Sequence, residues 1–480
     1  MNYALLLHIA VVAGMTVRLM LRDDLSPPAR LAWIIVLVLL PVIGTIIYML
    51  FGEIELGRHA RARHRSMHEE MHRLAGAAMG EAATIRAEIA SRFRPLFAYG
   101  ASINGFHPVP GNTAELMEDA EETRRRMLED IDAATHHVHA LYYIWLTDTT
   151  GTELAEALIR AAGRGIACRA MADALGSRGL IRSDLWRRMG EAGVELAVAM
   201  PIDNPIRTIL TSRIDMRNHR KITVIDGRVT YCGSRNSADP EFLPKAKFAP
   251  WVDIMLRLTG PVVAQNQLLF ASDWMRATGT PTAALAETLR APCPTPGAGL
   301  PASALGHGPT ERRGSTPHLF ATALACARRR VTISTPYFVP DATVLEALCA
   351  AAYRGVEVTL ILPHRNDSWI VASASRSFYR RLLQAGCHLR EFKGGLLHAK
   401  TMTIDGKVSL IGSSNIDLRS FDLNFENNIL MQDEALTQAI EGRQASYLAA
   451  SIPVTLADVD AWPYHRRIWY NAVATAGPIL

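Results

Sequence analysis

One polar phrase occurs twice in the chain, at residues 218–237 and again at residues 397–416. The first copy reads NHRKITVIDGRVTYCGSRNS and the second reads LHAKTMTIDGKVSLIGSSNI. Each copy places a His and a Lys two residues apart, an Asp five residues after the Lys, and then a Gly-Ser pair and an Asn. The matched residues are His219, Lys221, Asp226, Gly233, Ser234 and Asn236 in the first copy, and His398, Lys400, Asp405, Gly412, Ser413 and Asn415 in the second.

The spacing within each copy predicts a β-hairpin. Residues at i and i+2 of a strand project from the same face, so the His and Lys side chains should lie together. An apolar run, an Asp-Gly turn and a second apolar run complete the hairpin. Two such hairpins would gather two imidazoles and two ammonium groups. That set suits a phosphodiester, because one imidazole can attack phosphorus, the other can transfer the proton, and the ammonium groups neutralise phosphoryl oxygens.

The structural alternative is that each His-x-Lys pair is only a solvated polar strand face, which is the usual meaning of a single copy. Agreement of two copies at six positions weighs against this alternative. The use of lysine also weighs against it, since Lys occurs at only six positions and two of them fill the motifs. A compact ammonium differs chemically from the guanidinium that supplies the other positive charges.

The doubled H-x-K-x4-D-x6-G-S-x-N phrase resembles the signature of the phospholipase D superfamily, in which two halves build one active site. The phrases LYYIWLTDTTG at 141–151 and LRSFDLNFENN at 418–428, with the N-terminal apolar segments, are similar to bacterial cardiolipin synthases. The similarity runs from about residue 30 to 480, apart from a linker. It implies that two phosphatidylglycerol molecules are joined, through a phosphohistidine, into cardiolipin and free glycerol.

The resemblance also implies roles for individual residues. His219 is expected to be the nucleophile and His398 the acid and base, although the motifs are too alike for the sequence to decide. The motif lysines and asparagines would hold the phosphoryl oxygens, and the motif serines would donate hydroxyl hydrogen bonds. The residues concerned are Lys221, Lys400, Asn236, Asn415, Ser234 and Ser413. The first motif departs from the pattern of many cardiolipin synthases, which have a second Gly at position 234, and this leaves substrate preference open.

Four carboxylates complete the predicted site. Asp226 and Asp405 are predicted among the catalytic residues, but their place at the hairpin turns favours structural support through hydrogen bonds that organise the site. Asp253 and Glu426 follow the motifs at similar positions, and the resemblance implies that such carboxylates orient the motif histidines; the alternative is a plain surface acid. No metal or other cofactor is expected, because lysines and amides supply the neutralising groups.

Composition narrows the class of substrate. The 480 residues carry a net charge of only +5, which is small for a general nucleic-acid binder but fits work against an anionic lipid bilayer. A hydrophobic content of 49% is high for a soluble enzyme. The six cysteines are scattered and predict free thiols in a reducing compartment rather than a zinc site. The three histidines within residues 136–139 could place two imidazoles on one strand face, but no third and fourth ligand lie nearby in the sequence. A metal site is therefore not favoured.

Two apolar segments, at about residues 3–21 and 31–51, predict a membrane hairpin within domain 1–52. The arginines beside them favour a cytoplasmic catalytic body. Together with the resemblance to bacterial cardiolipin synthases, the segments imply a multi-pass protein of the bacterial inner membrane; spanning by the first segment is left open. Residues 53–112 are predicted to form a juxtamembrane helix and connector.

The rest of the chain predicts an α/β fold in which two phospholipase D-like repeats form one pseudo-symmetric body. Half 1 covers residues 113–276, opening with a helix over 113–134 and a strand over 136–146. A linker rich in Ala, Pro, Gly and Thr, with one short strand at most, covers 277–316, and half 2 covers 317–480. An insertion at 201–217 precedes the first motif and carries Arg207, Arg213 and Arg217, which fit either a headgroup-binding loop or an ordinary solvated one.

Other functions use the same residues. A phospholipase D hydrolase or another phosphatidyltransferase would pass the phosphatidyl group to water or to a headgroup alcohol. A nuclease of the superfamily is less favoured, since apolar segments and mild basicity point to lipid rather than to a polyanion. A non-catalytic membrane protein would leave the doubled motif unexplained. The sequence leaves acyl preference, other phosphatidyl donors, oligomeric state and regulation open.

Overall fold

The computed structural model describes residues 3–475 apart from 24, 26, 41, 53–65, 67–68, 72, 74, 202–214, 286–287 and 289–297. A 16-stranded sheet runs through the catalytic body. The strands before residue 277 are β1 (Val109–Leu116), β2 (His137–Tyr142), β3 (Ala167–Asp173), β4 (Glu195–Ala199), β5 (Arg217–Asn218), β6 (Lys221–Ile225), β7 (Val229–Gly233), β8 (Trp251–Val252) and β9 (Met255–Thr259). The later strands are β10 (Leu300–His307), β11 (Arg330–Ser334), β12 (Phe338–Val339), β13 (Glu357–Pro363), β14 (His388–Phe392), β15 (Leu396–Leu397), β16 (Thr401–Ile404), β17 (Val408–Gly412), β18 (Ile416–Asp417), β19 (Asn424–Gln432) and β20 (Ser451–Val454).

Helices cover both sides of this sheet and precede it. Before residue 279 they are α1 (Tyr3–Met20), α2 (Pro27–Leu39), α3 (Ile43–Phe51), α4 (Ala82–Glu88), α5 (Arg94–Asn104), α6 (Ala120–Asp132), α7 (Thr149–Gly163), α8 (Arg178–Ile181), α9 (Asp184–Glu191) and α10 (Val262–Thr278). After it they are α11 (Ser315–Cys326), α12 (Ala342–Tyr353), α13 (Trp369–Ser377), α14 (Tyr379–Ala385), α15 (Leu418–Asp422), α16 (Glu434–Ala449), α17 (Leu456–Asp460) and α18 (Tyr464–Thr475).

The strand order shows the internal repeat. Along the sheet the order is β20-β14-β13-β11-β16-β17-β19-β10-β1-β9-β7-β6-β2-β3-β4. On each side, three parallel strands are followed by an antiparallel hairpin that carries one copy of the polar phrase. The predicted α/β class and the two repeats are therefore confirmed.

The two repeats share a core. One apolar cluster contains Leu141 and Ile222 from the first half together with Leu397 and Ile411 from the second, all fully buried. Burial of apolar surface stabilises the joint at roughly 25 cal/mol for each Å² removed from water. The halves therefore pack as one body, which fixes the two polar phrases relative to each other.

The predicted linker is too long. Residues 300–307 form β10, a fully buried strand that pairs with β1 on one edge and β19 on the other. Its small residues Ala, Ser and Gly suggested a linker, but they are required by close packing: a Cβ on Gly306 would lie 2.4 Å from Leu269 Cδ2. Within the described residues, the stretch between α10 and β10 is what remains of the linker.

Two other predicted elements are corrected. Residues 113–116 belong to β1 rather than to a helix, and α6 begins at Ala120, where the Asp119 side chain accepts a hydrogen bond from the Glu122 N–H at 2.8 Å. The strand predicted over 136–146 ends at Tyr142. The helix starts later than predicted because residues 113–116 pair with β9. The strand ends earlier because the apolar run continues beyond the residues that pair with β3 and β6.

In its described residues, the predicted juxtamembrane helix and connector is not one continuous helix. Where it is described, it forms a short 3-10 helix at Gly76–Met79, then α4 and α5. Phe93 and Phe97 are each 1% exposed and pack in an apolar cluster with Leu319 and Leu324 of the second half. The connector is therefore part of the catalytic body.

The N-terminal apolar segments form α1, α2 and α3, and the second segment is divided between α2 and α3. Val42, just before α3, has φ of 63°, a conformation that interrupts a helix. Of the helices in the described part of the chain, none has both the length and the apolar character required to cross a membrane.

Candidate active site

Each motif histidine is held by the backbone of the opposite half. β5, directly before His219, pairs in parallel with β19, and β15, directly before His398, pairs in parallel with β8. The His219 N–H donates to the Phe425 carbonyl at 2.9 Å, and the His398 N–H donates to the Val252 carbonyl at 2.8 Å. The two halves therefore bring both histidines to one place by exchanging short strands.

The side chains repeat this exchange. His219 Nδ1 lies 2.9 Å from Glu426 of the second half, and His398 Nδ1 lies 2.6 Å from Asp253 of the first half. A neutral imidazole that donates from Nδ1 keeps its free electron pair at Nε2. Burial lowers the pKa of both histidines to about 4, although the neighbouring carboxylates act in the opposite direction. Both rings are therefore neutral at pH 7 in the free protein.

Serine hydroxyls support the two carboxylates. Ser234 donates to Asp253 at 2.6 Å, and Ser413 donates to Glu426. In the structure these predicted hydroxyl donors support the two carboxylates, and donation to a substrate phosphate stays a prediction. Burial alone would raise the pKa of Glu426, but His219 and the hydrogen bonds hold that pKa below its ordinary value. The same opposition, with His398 as partner, holds the pKa of Asp253 well below its usual range.

The motif lysines are buried next to the histidines. Lys221 Nζ donates to the His219 carbonyl, and Lys400 Nζ donates to the His398 carbonyl, each at 2.6 Å. Burial lowers the pKa of Lys221 to about 8 and that of Lys400 to about 7, since a desolvated ammonium is costly. Each lysine is thus fixed beside its histidine, in surroundings that disfavour its ammonium form.

A pocket of about 300 Å³ opens over these groups. The lining residues are Tyr143, Ile144, Arg217, His219, Asn236, Phe242, Lys245, Trp251, Tyr337, Asp367, His398, Asn415, Asp417, Arg419 and Asn424. Both motif asparagines belong to this lining. Asn236 accepts a hydrogen bond from the Ile144 N–H at 3.2 Å, which orients its amide. The structure therefore brings both predicted histidines and both asparagines to one pocket.

Asp226 and Asp405 lie elsewhere, which corrects their assignment to the catalytic set. Asp405 accepts the backbone N–H groups of residues 328, 329 and 330 at 2.8–3.0 Å, and Asp226 does the same for residues 135, 136 and 137. Both have φ of 54° at the hairpin turn. Each lies at the opposite end of a hairpin strand from its Lys, about 13–17 Å away at the rise of a β-strand. They brace the starts of β2 and β11, which is the structural support that the sequence analysis favoured.

Two aromatic residues that the motifs do not contain pack against the catalytic rings. Tyr143 meets His219 edge-on with ring centroids 4.8 Å apart, and Trp251 lies 4.6 Å from His398. Trp251 is two residues before Asp253, and Tyr143 directly follows β2. The sequence could have indicated these two residues, because Tyr143 follows a buried strand and Trp251 lies near a carboxylate of the site.

Arginines also reach the pocket. Arg217, from the predicted insertion, is 3% exposed, and its side chain lies 3.6 Å from Asp173 and donates to the Met200 carbonyl. Arg419 is a pocket residue that sequence reasoning missed, although it lies in the phrase LRSFDLNFENN. Arg207 and Arg213 lie outside the described residues.

The histidines within residues 136–139 contact one another and neighbouring side chains of the protein. His136 Nδ1 and His137 Nδ1 are 2.7 Å apart, and His139 Nδ1 lies 2.6 Å from Gln267 Nε2. His139 also stacks on Phe270. Across the described ranges, no group of three or more His, Cys, Asp or Glu side chains is arranged to hold a metal ion. Five cysteines are buried free thiols, and Cys293 lies outside the description.

The arrangement defines a class of chemistry. Two neutral imidazoles, each oriented by a carboxylate, line one pocket, and a buried amine is hydrogen-bonded to the backbone carbonyl of each histidine. Such a set can carry a phosphoryl group on one ring and move a proton with the other.

Comparison with known proteins gives the family. The family model described as "Cardiolipin synthase, PLD-like domain" matches residues 127–266 and 320–446, and the model "Phospholipase_D-nuclease N-terminal" matches residues 10–53. The chain belongs to the cardiolipin synthase family of phospholipase D-like proteins.

Individual relatives are similar in sequence to this chain over nearly its whole length. Cardiolipin synthase A of Yersinia pseudotuberculosis serotype O:1b (strain IP 31758) is 35% identical, covering 96% of this chain and 94% of the relative. Cardiolipin synthase A of Serratia proteamaculans (strain 568) is 34% identical, covering 98% and 96%. The crystal structure of phosphatidylserine synthase from Haemophilus influenzae Rd KW20 shares the fold, with a TM-score of 0.60 and 14% identity over 82% of this chain and 100% of that one.

Proposed function

We propose that the protein transfers a phosphatidyl group from one phosphatidylglycerol to another, forming cardiolipin and releasing glycerol. The names of the relatives support the substrate class. The observation that carries the chemistry is the reciprocal pairing of His219 with Glu426 and of His398 with Asp253 at one pocket.

In the first half-reaction, His219 Nε2 attacks the phosphorus of one phosphatidylglycerol. A P–N bond forms and the bond from phosphorus to the glycerol headgroup oxygen breaks. His398, protonated when the anionic substrate is bound, gives its proton to that oxygen, and glycerol leaves. Lys221 and Lys400 neutralise the phosphoryl oxygens as charge builds in the transition state.

In the second half-reaction, a hydroxyl of the second phosphatidylglycerol attacks the same phosphorus. His398, now neutral, accepts the hydroxyl proton while the P–N bond to His219 breaks. Cardiolipin forms and His219 is restored. Asn236 and Asn415, which line the pocket, are proposed to bind the phosphoryl oxygens in both steps.

The surroundings of the two carboxylates support this division of roles. Glu426 accepts hydrogen bonds from three groups besides His219, namely Ser413, Ser420 and Asn424. Its charge is therefore shared among several donors. Asp253 lies 2.6 Å from His398 Nδ1 and accepts a hydrogen bond from only one serine, Ser234. More of its charge is therefore available to stabilise a protonated His398 than the charge of Glu426 is for His219. That favours His398 as the residue that carries the proton.

We also propose that residues 1–52 hold the enzyme at the bacterial inner membrane, with the catalytic body on the cytoplasmic side. The apolar composition of 3–21 and 31–51 and the match of residues 10–53 to an N-terminal family model support this. A test is alkaline extraction of membranes containing the full chain or a chain lacking residues 1–52. The full chain should stay in the membrane pellet; its complete release would contradict the proposal.

The central experiment gives the purified full chain phosphatidylglycerol vesicles and identifies the products. Cardiolipin and glycerol in equal amounts are expected. Phosphatidic acid with glycerol would show that water is the acceptor and would replace the proposal by hydrolysis. The His219→Ala variant is the control, because loss of the nucleophile should abolish both outcomes.

The roles of the histidines are tested with an activated leaving group. A phosphatidyl ester of p-nitrophenol needs no proton from the enzyme on departure. His398→Ala should release p-nitrophenolate in a burst of one equivalent, whereas His219→Ala should release none. The reverse result would exchange the two roles.

A further inference from the structure

Exposed apolar side chains gather on α13, α18 and the segment 243–248. Leu243 is 76% exposed, Trp369 63%, Tyr464 81%, Ile468 68% and Trp469 48%. Trp369 and Trp469 stack with ring centroids 5.8 Å apart and planes at 16°. A soluble surface rarely displays such a set together. We call this set the rim surface.

The rim surface adjoins the mouth of the active-site pocket. Lys245 Nζ lies 2.5 Å from Asp367, and both residues line the pocket. Leu243 precedes Lys245 by two residues, and Trp369 follows Asp367 by two. α18 is fixed to α13 by the tryptophan stack and by a hydrogen bond from Trp469 Nε1 to Ser373 Oγ at 3.2 Å. The rim surface thus extends from residues beside the pocket to α18.

The charges beside the rim surface are mostly positive. α18 contains Arg466 and Arg467 and no acidic residue. The segment 243–248 adds Lys247, whereas Lys245 is paired with Asp367. Arg365 lies near the segment, its guanidinium carbon 5.7 Å from the Phe248 ring centroid. Tryptophan, tyrosine and basic residues on one face are the composition that binds the headgroup region of anionic bilayers.

We propose that the rim surface docks in the headgroup region of an anionic lipid monolayer and lets a phospholipid enter the pocket without leaving the bilayer fully. This rests on the proposed function in assuming a lipid substrate. A second copy of the chain fits less well, because self-pairing of this face would bring its arginines and lysines toward each other. The positive charge therefore favours an anionic lipid as the binding partner of the rim surface.

The docking test does not depend on turnover. Single cysteines replace Tyr464, Ile468 or, as control, Tyr353 in a full-length chain carrying Cys293→Ser, and each is labelled with an environment-sensitive dye. Tyr353 is 72% exposed at the end of α12, next to the start of β13, whereas the pocket lies beyond the other end of that strand. The labelled chains are reconstituted in phosphatidylglycerol vesicles that contain headgroup-region nitroxide lipids.

Dye at positions 464 and 468 should be quenched several-fold more strongly than dye at 353, and less strongly when phosphatidylcholine replaces phosphatidylglycerol. Equal quenching at all three positions would overturn the proposal. Protection from both nitroxide lipid and aqueous iodide would also overturn it, in favour of a protein partner. Because His219→Ala chains should give the same pattern, failure of docking is distinguishable from failure of the proposed chemistry.

A kinetic test complements the labelling. The double substitution Tyr464→Glu and Ile468→Glu should lower kcat/KM on phosphatidylglycerol vesicles about tenfold or more. The same variant should keep its rate on a water-soluble short-chain phosphatidylglycerol below its micelle concentration, since the pocket is untouched. Tyr353→Glu should change neither rate. An equal loss on both substrates would indicate damage to the fold and would contradict the proposed role.

Discussion

At the scale of residues, burial keeps both motif histidines uncharged at pH 7 and makes the ammonium forms of both motif lysines easier to lose. Burial lowers the pKa of His219 and His398 to about 4 and lowers those of both motif lysines. Desolvation therefore disfavours the protonated, positively charged forms of these four side chains. A bound phosphodiester reverses this cost, because its negative charge stabilises each cation.

The lowered lysine pKa values predict the alkaline limb of the pH profile. An ammonium is present below its pKa and lost above it, so a pKa of about 7 for Lys400 and about 8 for Lys221 places the loss near pH 7–8. An ordinary lysine would lose its charge near pH 10.4. We expect kcat/KM on phosphatidylglycerol to fall as pH rises through 7–9. A profile that stays flat to about pH 10 would contradict the burial effect.

The paired carboxylates give a second prediction. Glu426→Gln removes the charge that orients His219 from the other half, and we expect kcat to fall about 10–100-fold, as for other supports of a catalytic imidazole. Rapid quenching with radiolabelled lipid should show slower formation of the phosphohistidine. The thermal midpoint should be measured beside it, since lost activity in proportion to unfolding would indicate a structural role only.

At the scale of elements, the sequence predicted the hairpins well because their signals are local. The strand period, the Asp-Gly turn and the apolar runs all lie within 20 residues, and the structure places β6–β7 and β16–β17 there. The exchange of short strands between halves has no such signal. β5 and β15 are two residues long and pair with partners far away in the chain.

The same limit explains the error at the linker. β10 pairs with β19 more than 100 residues later, and its small residues look like a flexible segment unless their tight packing is known. The site residues were predictable where the chain repeats itself, as for His219 and His398. The turn position of Asp226 and Asp405 also indicated their structural support. The hydrogen-bond partners of the motif serines were not predictable, since a motif gives residue types but does not say which group each hydrogen bond reaches.

The turn carboxylates give a prediction about stability. Asp405 is 1% exposed and accepts three backbone N–H groups, besides an ion pair with Arg92 at 2.9 Å. Asp405→Asn keeps a residue that tolerates positive φ but removes the charge. We expect the free energy of unfolding to fall by about 1–3 kcal/mol, with kcat of the folded protein nearly unchanged. Urea unfolding measures the first quantity; the exposed Glu88→Gln is the control, and a large loss of kcat would return Asp405 to the catalytic set.

At the scale of the whole molecule, neither half has a complete site. His219 depends on Glu426 and on the Phe425 carbonyl, and His398 depends on Asp253 and on the Val252 carbonyl. The halves are also joined through β1 and β10 in one continuous sheet. The active site is thus a property of the interface within one chain, and it should not be assembled from two chains without unfolding.

This predicts the outcome of mixing two inactive variants. His219→Ala and His398→Ala chains, purified separately and reconstituted in the same phosphatidylglycerol vesicles, should form no more cardiolipin than either alone. Each chain lacks one imidazole, and exchange of halves would require the central pairs of the sheet to open. Mixing wild-type chain with either variant should give only the activity of the wild-type fraction. Recovery of activity in the mixed variants would instead show that halves from different chains share a site, and would make the exchanged strands β5 and β15 contacts between molecules.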